Sequence, residues 1–322
     1  MQNRILRATV SFVLLAVLPV LPARAEDAFK VAVGQIEIWS GAVPTLGQKA
    51  GIFKKHGIAL EVFGTAGAGE TVQAVVAGSA DMGVNVGSAG VFRAFQKGAP
   101  IRILGANFTG AGDLYWYVRA DSPIKSLRDA TEKNTIAYST SGSSSNIVVL
   151  GFVNELGVKA VPTSTGGQPA TLTSVMSGQI DIGWAAPPFG LREAEAGKIR
   201  IIANGNDFTA IRNQTVRVEI VNANVLKDRK DAVLRFVRAY RETLEWMYAD
   251  RSAITMHAAT FNIPEALDRA AIEKFQPKSA RQFDRISDVD TLMADAVRLK
   301  FLDAPLTKEQ VAEFIQIPPR DK

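Results

Sequence analysis

The feature that most constrains this chain is a match to itself. Thr71-Val72-Gln73-Ala74-Val75-Val76-Ala77-Gly78-Ser79-Ala80-Asp81-Met82-Gly83 aligns with Thr171-Leu172-Thr173-Ser174-Val175-Met176-Ser177-Gly178-Gln179-Ile180-Asp181-Ile182-Gly183 at an offset of 100 residues. Both obey T-x3-V-x2-G-x2-D-x-G. Each copy reads as a helix, a glycine stop, a tight turn at the aspartate and a strand. Glycine takes the left-handed cap without a Cβ penalty, and aspartate hydrogen-bonds nearby backbone N–H groups in its turn. The period is too long for a solenoid repeat and fits two similar lobes. Asp81 and Asp181 fall at equivalent points of separate lobes, so they are read as turn residues and not as a catalytic pair.

The flanking sequence supports the same plan. Phe29 to Val33 predicts a first strand, Pro44 opens a helix running to about Lys55 and ended by Gly57, and Ile58 to Phe63 is a second strand. After the loop Gly64 to Gly69 come a helix over 70–77, a buried strand over 82–86, a helix capped by Ser88 and a strand over 101–107. The rhythm restarts with a strand over 135–138, a helix over 145–156 and a short strand over 158–161. It continues with a helix over 170–177 and strands over 182–185 and 199–203. Strands alternating with helices of this length indicate right-handed βαβ units and a mainly parallel sheet. Lys230 to Ala249 is a long amphipathic helix, with Val233, Phe236, Val237, Tyr240, Leu244 and Met247 at helical spacing. Further helices are expected over 264–275, 289–301 and 307–314. No low-complexity linker occurs, so ordered strands near Leu114 to Val118 and Val216 to Val221 are expected to carry the chain between lobes. The expected division is 26–115 plus 218–322 for lobe 1, with the C-terminal helices, and 116–217 for lobe 2.

The first residues bear on compartment. Arg4 and Arg7 precede a short apolar run, Val10 to Leu18, which Pro19 breaks, and Ala23-Arg24-Ala25 offers small residues at the two positions a signal peptidase reads. Residues 1–25 are therefore read as a signal peptide, the apolar run being about half of what spans a bilayer. The chain has no cysteine. That excludes disulfides, a thiolate nucleophile, Cys-based metal sites and a bacterial lipid anchor, so the expected location is the periplasm without an anchor. The formal net charge is +5, of which Arg4, Arg7 and Arg24 supply three, leaving the exported chain near +2. No block of Lys and Arg is interleaved with aromatics, so no nucleic-acid partner is expected.

In an open α/β sheet, ligands bind beyond the carboxyl ends of the strands. Two such sheets facing each other place the loops there on opposite walls of one cleft. The loop Ser139-Thr140-Ser141-Gly142-Ser143-Ser144-Ser145 lies between a strand and a helix. Its hydroxyls and the first N–H groups of the helix favour an anion, which makes Thr140, Ser141, Gly142, Ser143 and Ser144 candidates. Gly67, Ala68 and Gly69 form the matching loop of the first lobe. Gly67-x-Gly69 lacks the third glycine of a dinucleotide fingerprint, since Val72 stands there, and reads instead as close backbone approach to a small ligand. Gln35, Trp39 and Ser40 follow the first strand on the same wall, Trp39 either packing an apolar part of the ligand or covering the core, and Gly87 and Ser88 open the next helix. Gly167, Trp184 and Pro187 are assigned to the second wall and Tyr115 to the hinge. Arg119, Arg192 and Arg217 are potential forks for a sulfonate or carboxylate, set against a surface position for each.

The order and spacing of several short segments carry a resemblance. They are Pro44-x5-Lys49-Ala50-Gly51-Ile52-Phe53, Gly57-Ile58-Ala59-Leu60-Glu61-Val62, Ala77-Gly78-Ser79-Ala80-Asp81, the Ser139 to Ser145 loop, and Gly178-x2-Asp181 with Pro187-Pro188. Over nearly the whole exported chain the sequence resembles the substrate-binding proteins of ABC importers for nitrate, sulfonates, taurine and related compounds. The resemblance implies an α/β protein of type II periplasmic binding protein fold, two lobes joined by two hinge strands, with the C-terminal helices packed on the first lobe. It implies capture of a small molecule by lobe closure and delivery, as a monomer, to an ABC permease in the inner membrane. No cofactor and no metal are expected. Trp39 and Trp184 favour an organic ligand and the Ser/Thr loop an anionic head group, hence a small sulfonate or carboxylate. A neutral vitamin precursor and a sensor partner remain open. Enzymes on related folds rely on cysteine, which is absent. The two histidines, His56 and His257, are isolated, and no G-x-S-x-G or H-E-x-x-H occurs, so catalysis is not expected.

Overall fold

The computed structural model describes residues 26–320, and the expected export segment lies outside them. Ten strands run through the described residues: β1 (Asp27–Gly34), β2 (Ile58–Thr65), β3 (Met82–Gly87), β4 (Ile101–Thr109), β5 (Tyr115–Arg119), β6 (Thr135–Tyr138), β7 (Val161–Ser164), β8 (Gly183–Ala185), β9 (Ile199–Asn204) and β10 (Thr215–Asn222). The first sheet has the order β2-β1-β3-β10-β4, with β1 parallel to both neighbours and β10 antiparallel to both of its own. In the second, β8-β5-β9 pair antiparallel and β6-β7 parallel. The β6-β7 pair is joined to the strand start of β8 by a parallel bridge between Ile136 and Ile182. Its bonds run from Ala137 N–H to Ile182 O at 2.7 Å and from Ile182 N–H to Thr135 O at 3.0 Å. Read across, the second sheet is β7-β6-β8-β5-β9, the same plan as the first. In each, the fourth strand arrives from the other half of the chain and is the antiparallel one.

That plan sets where the chain crosses. The connections are residues 110–114, between β4 and β5, and residues 205–214, between β9 and β10. The crossings were expected near Leu114 to Val118 and Val216 to Val221, and each lies just ahead of that segment, which is itself an interior strand of its sheet. Tyr115 thus pairs with Ala185 and Asn204 in the second sheet, while Thr215 and Arg217 pair in the first, a shift of a few residues from the expected lobe boundaries.

The repeat is built from matched bonds. Asp81 Oδ2 accepts from Lys30 N–H at 2.7 Å. Asp181 Oδ2 accepts from Thr135 N–H at 2.8 Å and from Thr135 Oγ1 at 3.0 Å. The aspartates were expected to bond within their own turns; instead they tie each repeat to the first strand of its sheet, β1 or β6. The match also extends upstream. Thr65 and Thr71 hydroxyls meet at 2.7 Å, and Thr165 and Thr171 at 2.6 Å. Thr71 Oγ1 donates to Gly67 O at 3.2 Å and Thr171 Oγ1 to Gly167 O at 3.0 Å. Gly78 and Gly178 both take the left-handed cap, at φ 74° and 77°. Hydrogen bonds to charged groups contribute about 1.5–3 kcal/mol, so Asp81→Ala and Asp181→Ala are each expected to lower unfolding free energy by about that amount in urea titrations. Asp181→Ala is expected to cost more, because its carboxylate takes two donors. A loss below 0.5 kcal/mol in both would remove this role.

Elsewhere the departures are local. The helix expected from Pro44 to Lys55 is two, Val43–Lys49 and Ile52–Lys55, broken at Gly51 with φ 75°. Helix Ser252–Phe261 was not foreseen. Ser88 does not cap its helix; Gly87 holds the N-cap position and Ser88 Oγ donates to Thr215 O at 2.6 Å. Helix Lys230–Ala249 packs its apolar face on the first sheet and the short helices beside it, with Phe236 edge-on to Phe29 at 5.9 Å between ring centroids. The last segment returns to the same sheet, where Phe314 stacks on Phe95 at 4.2 Å and Ile315 bridges Ile103.

Candidate functional site

The strand ends of both sheets meet at one place. Gly34 and Gln35 close β1, Gly67 and Ala68 follow β2, and Asn85 and Gly87 end β3. Ser139 follows β6, and Ala186 follows β8. Because β5 and β10 run antiparallel, their beginnings reach the same spot, bringing in Leu114 and Arg217. With Ile38, Trp184, Ser143, Ser144 and Ser145 these residues enclose a cavity of ≈ 30 Å³, room for roughly two water molecules. It lies at the carboxyl ends of the parallel strands, where an open α/β sheet presents its ligand.

The cavity wall is rich in hydrogen-bond donors. Helices Ala68–Val76, Ser88–Gln96 and Ser144–Asn154 all start there, capped by Gly67, Gly87 and Ser143. Their first N–H groups lack intrahelical acceptors and their dipoles present positive ends. Ser143 Oγ takes one of these donors, Asn146 N–H, at 3.1 Å. Arg217 is 3% exposed. Its Nη2 donates to Asp113 Oδ1 at 2.5 Å and its guanidinium lies 4.5 Å from the Phe108 ring centroid. Its Nε is buried with no hydrogen-bond partner, as is Trp184 Nε1. Both residues line the cavity, and Arg217 is its one charged lining side chain, so the wall favours a ligand with acceptor oxygens.

Behind this wall a buried polar network fixes the geometry. Asp113 also accepts from Gln276 Nε2 at 3.2 Å. Glu219 lies two residues beyond Arg217 on β10 and so on the same face. Its Oε2 accepts from Asn85 N–H at 2.8 Å, and its Oε1 from Asn107 Nδ2 at 2.5 Å and from the Tyr240 hydroxyl. Burial pushes the Glu219 carboxyl above the usual carboxylate range, opposed by the Tyr240, Asn107 and Asn85 hydrogen bonds. Asn85, at φ 61°, donates from Nδ2 to Gly34 O at 2.6 Å, so the turn out of β3 is held from both sides.

Around the cavity the lobes touch directly. Gly69 N–H donates to Thr140 Oγ1 at 3.0 Å, Gly90 N–H to Gly142 O at 3.1 Å, and Arg93 Nη2 to Ser141 Oγ at 3.3 Å. Gln168 Nε2 donates to Gln35 Oε1 at 3.1 Å, while its Oε1 accepts from Ala186 N–H at 2.6 Å.

Of the residues expected to bind, Gln35, Gly67, Ala68, Gly87, Ser143, Ser144 and Trp184 line the cavity. Gly69, Thr140, Ser141 and Gly142 do not; their polar groups are spent on the seam between lobes. Trp39 is core, edge-on to His257 at 5.2 Å and to Tyr248 at 6.0 Å beneath the C-terminal helices. Ser40 is buried beside it, its carbonyl accepting from Asn107 Nδ2 at 3.1 Å. Ser88 is turned to Thr215. Tyr115 is buried, and its hydroxyl donates to Phe189 O at 2.5 Å; burial, then the neighbouring Tyr117, push its ionisation far above the usual range. Gly167 caps helix Gln168–Met176, whose Gln168 makes the polar contact in its place. Pro187 is buried one residue past Ala186, which lines the cavity. Arg217 was set against a surface position and is the buried cation of the site. Arg119 pairs on the surface with Asp121 at 2.6 Å, and Arg192 is exposed. Ser139 and Ser145, the ends of the expected Ser/Thr loop, line the cavity too, as do Asn85 and Ala186; Gly34, Ile38 and Leu114 were missed. Among the described residues no group of acidic, His or Cys side chains could hold a metal ion, and no helix is long and apolar enough to cross a membrane.

Comparison with known proteins follows the same lines. Three solved structures share the fold at low identity. The alkanesulfonate-binding protein SsuA of Xanthomonas axonopodis pv. citri, bound to MOPS, superposes with a TM-score of 0.75 at 16% identity, covering 92% of this chain and 100% of that one. The periplasmic aliphatic sulphonate-binding protein SsuA of Escherichia coli gives 0.69 at 16% identity, over 92% and 94%. The periplasmic nitrate-binding protein NrtA of Synechocystis PCC 6803 gives 0.67 at 14%, over 90% and 85%. No curated protein sequence matches the chain. The family model described as NMT1/THI5 like matches residues 44–253, well over half of the chain and spanning both sheets. This protein, with the two-lobed α/β fold of the periplasmic binding proteins, belongs to the NMT1/THI5-like family.

Proposed function

We propose that this protein is the exported solute-binding component of an ABC importer, which captures a small organic anion, sulfonate- or carboxylate-like, between its lobes and delivers it to a membrane permease. The observation that carries the reading is the cavity itself. Arg217 is its one charged lining side chain, Trp184 lies beside it, and three helices start at its wall. A sulfonate or carboxylate offers two or three acceptor oxygens to such a wall. Only the closed arrangement brings donors of both lobes to one ligand, so the ligand shifts the hinge equilibrium by its differential affinity. The sulfonate binders among the structural neighbours agree in kind. Export by residues 1–25, a periplasmic location and action as a monomer belong to the same proposal.

A second reading has one observation behind it. Asp113 already neutralises Arg217, which suits a neutral ligand such as a vitamin precursor. A thermal-shift screen of the purified protein against sulfonates, carboxylates, nitrate and pyrimidine vitamin precursors separates the two. Ligand at 100 times Kd adds about 2.7 kcal/mol of stability and is expected to raise Tm by several degrees with an organic anion. A rise confined to neutral precursors would overturn the anion assignment.

A further inference from the structure

We infer that helix Val289–Arg298 is a clasp, which biases the lobes towards closure through an ion pair remote from the ligand cavity. The helix packs on helix Ser88–Gln96 of the first lobe, and its root is the hinge. Just ahead of it, Ser287 N–H donates to Thr215 Oγ1 at 2.8 Å and Thr215 N–H to Ser287 O at 3.3 Å. Within it, Asp295 Oδ2 accepts from the side chain of Gln214, which is buried. Gln214 belongs to one crossing, and its carbonyl accepts from Gly110 N–H of the other at 2.9 Å. Through Gln214 a single carboxylate is therefore tied to both of the connections about which the lobes turn.

The tip of the clasp grips the second lobe. Arg298 Nη2 donates to Asp295 Oδ1 at 2.8 Å, and its Nη1 pairs with Glu155. Glu155 is the C-cap of helix Ser144–Asn154, whose first residues, Ser144 and Ser145, line the cavity. The 11 residues of that helix set Glu155 about 16 Å from the cavity end, so the serines and the glutamate move as two ends of one rod. A carboxylate at a helix C-terminus faces the negative pole of the dipole. Glu155 and Asp295 both stand at such ends, and Arg298 offsets both. Arg298 and Glu155 belong to bodies that turn relative to each other, so their attraction counts towards the closed arrangement and not the open one. This rests on the closure reading above and is independent of the ligand's class. The two side chains are 41% and 33% exposed, and an ion pair so exposed shifts an equilibrium by about two- to fivefold.

The chain has no cysteine, so Gln73→Cys with Thr173→Cys, exposed and equivalent positions of the two lobes, takes spin labels at those two sites alone. Double electron–electron resonance on the ligand-free protein then reads the ratio of open to closed lobes. In that background Arg298→Met and Glu155→Gln are each expected to raise the ratio about two- to fivefold, and the two together no further than either alone. Circular dichroism checks that each variant folds. A ratio that neither variant changes, or that falls, overturns the clasp, and effects that add overturn the pairing of Arg298 with Glu155. The same labels read with saturating butanesulfonate test the capture reading separately. A wild-type shift to the short distance supports capture whatever the variants do, and its absence removes butanesulfonate as a ligand while the clasp stands or falls on the ligand-free ratios.

Discussion

Arg217→Met is expected to abolish anion binding and to cost the fold about 3–5 kcal/mol, the usual penalty for removing one partner of a buried ion pair. The cost arises at Asp113, which is fully buried and keeps only Gln276 as a side-chain partner once the guanidinium is gone. The loss of binding arises because Arg217 is the one charged side chain that lines the cavity. Asp113→Asn separates the two effects. It too is expected to destabilise the ligand-free protein, because Arg217 loses its counter-charge. Anion affinity is expected to rise, since the ligand then supplies that charge, and saturating ligand is expected to restore most of the lost Tm. Urea titration with and without a sulfonate reads both quantities. Arg217→Met binding an anion as tightly as wild type would remove Arg217 from the site.

Gly87→Ala is expected to weaken binding about 10- to 100-fold while leaving the ligand-free Tm within about 2 °C. Gly87 has φ −60° and ψ 123°, a conformation open to any residue, so alanine is tolerated while the lobes are apart. When they close, its Cβ would overlap Gly142 O and lie 2.7 Å from Ser143 Cα. Both are backbone atoms of the second lobe and cannot rotate away. Small-angle scattering with excess ligand is expected to show the variant more extended than wild type. Wild-type affinity and compaction would mean that closure does not bring these two backbones together. The same geometry explains why Gly142, at φ 81° with its added Cβ 2.5 Å from Gly90 Cα, belongs to the seam and not to the ligand.

Much of the architecture was legible because it rests on local rules. The offset of 100 residues gave two copies of one unit, and the strand-end rule placed Gln35, Gly67, Gly87, Ser143 and Trp184 on one cavity. The same offset also relates Thr65 and Gly67 to Thr165 and Gly167, a match present in the sequence and confirmed by paired hydroxyl contacts. What local rules could not show is contact across distance. Thr215, Arg217 and Glu219 alternate with Val216, Val218 and Ile220, the pattern of a strand with one solvated face. Here both faces are buried, and the polar one meets Asp113, Asn107 and Tyr240, up to about a hundred residues away in sequence. Trp39 read as a cleft aromatic because its core partners, Tyr248 and His257, lie on helices of which one was unrecognised. The Ser/Thr loop was rich in donors by composition, but composition does not say which hydroxyls face the other lobe. Thr140 and Ser141 do, and Ser143 and Ser144 face the cavity.

At the cavity the seam is made largely of uncharged groups, Gly69 with Thr140, Gly90 with Gly142, and Gln35 with Gln168, with Arg93 donating to Ser141; away from it Arg298 of lobe 1 forms an ion pair with Glu155 of lobe 2. Neutral hydrogen bonds do not titrate near neutrality, and added electrolyte does not screen them as it screens exposed ion pairs. For a chain working outside the cytoplasm, as proposed, acidity and salinity follow the surrounding medium. At the cavity its grip would then answer chiefly to the concentration of its ligand, and the Arg298–Glu155 pair would be the part of the seam that salt loosens.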